Sequence, residues 1–148
     1  MEKDLLAKDE MLSDEYHLYY IGKSYHDNVP STSLPFGNDH VMELCRRGLF
    51  FFRKFLEVRH DFWRTGAPKR MDEMAYVTMV WMSNLHGIMG EVEDQIRFLR
   101  DAERFCPARN EHLKRLAVIF RRMRRFKEMH EVTTRMMLPE RKNPFPGL

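Results

Sequence analysis

An apolar helical pattern built around one small residue occurs three times in this chain, and the second and third copies stand at a fixed interval. Leu18, Ile21, Gly22 and Tyr25 form the first copy, Met79, Met82, Ser83 and His86 the second, and Leu113, Leu116, Ala117 and Phe120 the third. From Met79 to Leu113 is 34 residues, and the second copy continues in register with Gly90, Leu99, Ala102 and Pro107. The interval from Leu18 to Met79 is 61 residues, so the first copy carries about 27 extra. Glycine inside a helix costs about 1 kcal/mol relative to alanine. Its place at position 22 therefore implies a compensating contact, and a paired helix that approaches too closely for a side chain supplies one.

Helical periodicity dominates the rest of the chain, and no convincing alternating strand is present. The pattern predicts helices over about 14–27, 40–60, 69–89, 91–105, 109–123 and 126–137, with a short polar helix as an option before them. Ser13 is the expected cap of the first. The segment "NVPSTSLPFGND" reads as an inserted loop, "TGAP" and Pro107 as breakers, and Gly90 as a turn. In the second predicted helix Leu44, Gly48, Phe51 and Phe55 form one row, and Cys45, Leu49, Phe52 and Leu56 the next. So wide an apolar face implies neighbours on two sides.

These elements define an all-α fold of about three antiparallel helix pairs in a single domain, residues 1–148. The first pair spans 13–66, the second 69–107 and the third 109–139, and an extended proline-rich tail occupies 140–148. The repeated pattern resembles that of the tetratricopeptide repeat, whose 34-residue units are helix hairpins that stack into a solenoid. The resemblance implies a binding surface formed by the first helix of each pair. Tyr20, Met79 and His86 are the expected residues of that surface. The tail carries Phe145 between Pro144 and Pro146, and the expectation is that it caps the last pair near Phe126 or Met129.

Two stretches carry a narrower resemblance. "YYIGKSYHD" and "CPARNEHLKRLAVIFRRMRRFKEMHEVTTRMMLPERKNPFP" resemble the helical tail that follows the catalytic domain in some family 2 glycosyltransferases, including forms in large DNA viruses. The likeness covers most of the chain from Glu15 to Pro146. Pro107 and Arg109 match the segment opening the last pair, and Pro144, Phe145 and Pro146 the segment following it. What the resemblance implies is an accessory interaction or scaffold module, whose partner is a protein or a parent catalytic domain. An alternative is a part of an active glycosyltransferase that shapes an acceptor site. The metal-binding D-x-D of such catalytic domains occurs nowhere in the chain.

Composition bounds the remaining possibilities. With 148 residues, 43% hydrophobic, the chain is long enough to bury its own core. No run approaches the roughly 20 apolar residues of a membrane span. Two cysteines, Cys45 and Cys106, do not make a disulfide framework. The expectation is a soluble protein of the reducing cytoplasm, with no membrane contact. Seven histidines offer no H-x3-H pair, so no metal or other cofactor is expected. Nucleophile and phosphate-loop motifs are missing, and the chain alone is not expected to catalyse a reaction.

Charge is distributed unevenly. Residues 1–108 carry a net charge of −4 and residues 109–148 one of +7. Lys114, Arg115, Arg121, Arg122, Arg124 and Arg125 form the candidate basic patch. Guanidinium groups pair with phosphates and carboxylates, so an acidic or phosphate-bearing partner is expected here. A third functional reading follows, a basic RNA-binding or structural component of a large assembly.

Overall fold

The computed structural model describes residues 15–29, 38–64 and 72–138, with the side chains of 60–64 excepted. Six α-helices and no strand occur among them: α1 (Glu15–Asn28), α2 (Asp39–Arg64), α3 (Glu73–Ile88), α4 (Val92–Ala102), α5 (Glu111–Arg122) and α6 (Phe126–Met136). Ser13, the centre of the inserted loop, the "TGAP" breaker, Pro139 and the tail with Phe145 lie outside the described residues. No described helix is long and apolar enough to cross a membrane. The chain forms two compact units, one of Met1–Arg70 with Asn84–Glu91 and the other of Met71–Ser83 with Val92–Leu148.

In the first unit α1 packs along α2. Asn38 sets the start of α2, because its side-chain oxygen accepts the N–H groups of His40 and Val41 at 3.1 and 3.2 Å. From there Val41, Cys45, Leu49, Phe52 and Phe55 are buried along one side. Moving up α1, Glu15 pairs with Arg59, Tyr19 meets Phe55 and Tyr25 stacks on Phe51, so the helices run antiparallel. Gly22 marks a close approach between them. A Cβ built on it would lie 2.6 Å from Phe52 Cδ1. A ring occupies the space that a side chain would need, which is the compensating contact expected for this glycine. Gly48, on α2, faces Leu85 and Tyr25 in the same tight way.

In the second unit α5 packs closely on α6 and on α4. The core gathers Tyr76, Leu99, Leu113, Leu116 and Phe120, each at most 1% exposed. Asp72 caps α3 by accepting the Ala75 N–H at 3.0 Å. Ser83, at the small position of the second copy, is fully buried and its hydroxyl has no hydrogen-bond partner.

The 34-residue interval reappears in the backbone. α3 ends at Ile88 and α5 at Arg122, while α4 spans Val92–Ala102 and α6 Phe126–Met136. Every one of these boundaries is 34 residues after its counterpart. The helix ends match bond for bond. Glu91 N–H donates to the His86 carbonyl at 2.8 Å and Gly90 N–H to the Gly87 carbonyl at 3.1 Å. Arg125 N–H donates to Phe120 and Arg124 N–H to Arg121 at the same two distances. This pair of bonds satisfies orphan carbonyls by placing one residue in the left-handed region. At Gly90, φ is +80° and costs nothing special; at Arg124 it is +58°.

Arginine in that conformation is strained by about 1–2 kcal/mol, whereas glycine would give back about 0.5–1 kcal/mol in chain entropy. Arg124→Gly should therefore stabilise the protein by roughly 0.5–1 kcal/mol. Chemical denaturation of both proteins reads this directly. A variant less stable than the parent would show that the Arg124 side chain makes a favourable contact outweighing its strain.

Candidate functional site

The residues expected to bind a partner have separate fates. Tyr20 is 61% exposed on α1, but Met79 and His86 are 6% and 7% exposed. Neither of the latter can line a surface. The cause is α3 itself, which carries apolar residues on almost all sides and so buries most of its circumference.

The basic patch also divides. Arg125 is spent on the fold: its Nε and Nη2 donate to both oxygens of Glu128 at 2.6 Å, and Nη1 reaches Glu93 at 3.3 Å. Its guanidinium also lies over the Phe120 ring, 5.0 Å from the centroid. The hydrogen bond from Arg125 holds the Glu128 carboxyl below the usual carboxylate range. Arg121 and Arg124 are exposed beside the turn. Lys114, Arg115 and Arg122 come together elsewhere, on one face of α5.

That face borders a groove of about 440 Å³. Gln95 of α4 forms one wall, and Lys114, Arg115, Val118, Ile119 and Arg122 of α5 form the other. Glu111 stands at one end and accepts from Arg115 at 3.3 Å. Among the described residues, neither Lys114 nor Arg122 has an acidic partner within ion-pair distance. Between them Val118 is 49% exposed while Ile119 is buried below. The groove thus combines two uncommitted cations with an apolar seat.

A second constellation lies in the interior and was not legible from residue spacing. The Tyr76 hydroxyl accepts the backbone N–H of His112 at 2.9 Å and lies 2.8 Å from His112 Nδ1. The ionised Glu103 carboxylate facing Nε2 can only accept, so in the neutral imidazole the proton sits on Nε2 and Nδ1 accepts from the Tyr76 hydroxyl. His112 then carries its proton on Nε2 and donates to Glu103 Oε1 at 3.2 Å. Glu103 also accepts from Arg135, and Arg109 covers the Tyr76 ring at 4.9 Å. Burial pushes the Glu103 carboxyl up, but the His112 hydrogen bond and the Arg135 charge together hold it below its ordinary value. Burial likewise pushes Tyr76 up to about 12.

A tyrosine, histidine and glutamate in sequence have the composition of a proton relay. Yet Tyr76 is 0% and His112 1% exposed, so no substrate reaches either. The relay is a structural clasp. Nor do the thiols offer a nucleophile, since Cys45 and Cys106 are buried and burial raises Cys45 to about 11. Comparison with known protein families, curated proteins and solved structures finds no match for this chain.

Proposed function

We propose that the chain is a helical-repeat interaction module of the tetratricopeptide type, stacking helix pairs to hold a protein partner. The observation that carries this reading is the 34-residue recurrence of the helix ends, of the start of the second helix and of the capping hydrogen bonds from α3–α4 to α5–α6. Units of this length cannot bury an apolar face alone, so they stack and leave long side-chain surfaces for binding. α1 and α2 serve as the first pair, with Gly22 at the small position. The resemblance to glycosyltransferase tails supplies a context in which the held protein is a catalytic domain.

A photo-crosslinking amino acid placed singly at exposed positions on α1, α5 and α6 tests the module in its native cell. One discrete protein captured from a contiguous set of positions is the expected result. Capture of nucleic acid alone, or of no discrete species at any position, would overturn it. The purified chain should also leave nucleotide sugars intact with and without manganese. Turnover surviving repurification would move the protein into the enzyme class.

A further inference from the structure

We propose that the groove between α4 and α5 binds an extended acidic peptide with the pattern acid, any, apolar, any, acid. This inference rests on the interaction-module reading and names the chemistry of the partner. Lys114, Val118 and Arg122 follow one another at four-residue steps along α5. Each step rises about 6 Å on a helix. Alternate side chains of an extended chain are about 6.7 Å apart and point the same way. A peptide lying along α5 therefore sets its first acid at one cation, its apolar residue on Val118 and its second acid at the other cation.

The spacing of the two cations sets the length of the occupant. Lys114 and Arg122 are about 12 Å apart along the axis. Five residues of extended chain carry their first and fifth side chains about 13 Å apart on one side, which matches that separation. Charge complementarity fixes the sign of the partner, since the groove presents three cations to one carboxylate. Two features favour protein over nucleic acid. No aromatic side chain lines the groove to stack on a base, and Glu111 at its end opposes a continuous run of phosphates.

Fluorescence anisotropy with a labelled Gly-Ser-Glu-Ser-Leu-Ser-Glu-Ser-Gly peptide tests the assignment on the full chain. Its controls are a peptide of the same composition with both glutamates beside the leucine and a nine-nucleotide oligouridine. The patterned peptide should bind at least fivefold more tightly than the rearranged one. Combining Lys114→Glu with Arg122→Glu should weaken it at least tenfold, and Val118→Asp should do so alone. Lys127→Glu, outside the groove, should leave it unchanged. All these positions but Lys127 line the groove and none is part of the buried core. Circular dichroism of each variant verifies that the helices persist. Equal binding of the rearranged peptide, undiminished affinity in the variants, tighter binding of oligouridine, or no binding at millimolar peptide would each overturn the proposal. A partner crosslinked elsewhere while the peptide fails to bind would overturn the groove assignment and leave the module standing.

Discussion

Gly22→Leu should destabilise the protein by about 3 kcal/mol, at the upper end of ordinary overpacking. Even Gly22→Ala should lose stability, although the same change in an open helix gains about 1 kcal/mol. The new Cβ would stand 2.6 and 2.7 Å from two ring carbons of Phe52, well inside the roughly 3.5–4.0 Å of a favourable carbon contact. Phe52 is 0% exposed, so its ring can yield only by displacing packed neighbours. Either α1 moves off α2 or the ring leaves its rotamer. Urea denaturation measures the loss as a shift in midpoint at constant slope. Phe52→Leu removes the obstructing ring edge, so the double variant Gly22→Ala, Phe52→Leu should lose less than the sum of its single changes. Strict additivity would show that the helix and the ring do not meet.

Gly22 also shows why parts of this fold were legible. A glycine inside an otherwise apolar helical pattern contradicts local propensity, and tertiary contact is the usual resolution. The 34-residue interval was legible because the second and third copies repeat the same spacing around a small residue, which marks several positions at once. Helix starts were less so. The start of α2 fell within one residue of its expected place, but α3, expected from about residue 69, begins at Glu73, where Asp72 caps it, and capping depends on a backbone geometry that periodicity does not reveal.

The candidate site was legible as charge and not as geometry. Six basic residues close in sequence read as one patch, but acids brought from α4 and α6 decide which of them stay available. Arg125 is taken by Glu93 and Glu128, 32 residues before it and three after. Helical rotation separates the others, so Lys114 and Arg122 share a groove that neither Arg121 nor Arg124 lines. Arg124 itself occupies the position equivalent to Gly90, and nothing in its residue type announces a left-handed conformation. Met79 and His86 misled for the opposite reason. A polar or adaptable residue on a helix face suggests binding only when that face is open, and α3 is enclosed.

Tyr76→Phe should cost about 2–3 kcal/mol, because it strips a hydrogen-bond partner from two buried groups at roughly 1 kcal/mol or more each. The ring, its packing and its contact with Arg109 all survive the change. Only the hydroxyl is lost. That hydroxyl accepts the N–H of His112, the second residue of α5, where Asn110 makes no side-chain capping bond. Tyr76 thus caps α5 from another helix while fixing the His112 tautomer through Nδ1. Stability within 0.5 kcal/mol of the parent would show that the clasp contributes nothing. Glu103→Gln probes its far end by acidity. Since the folded state holds this carboxyl below its unfolded value of about 4.3, the stabilisation is complete above that pH and fades as pH falls through the lower folded value. The stability gap between parent and Glu103→Gln should accordingly be full at pH 7 and narrow below about pH 4. A gap of equal size at pH 7 and pH 3 would show that Glu103 acts through packing alone, with its charge irrelevant to the clasp.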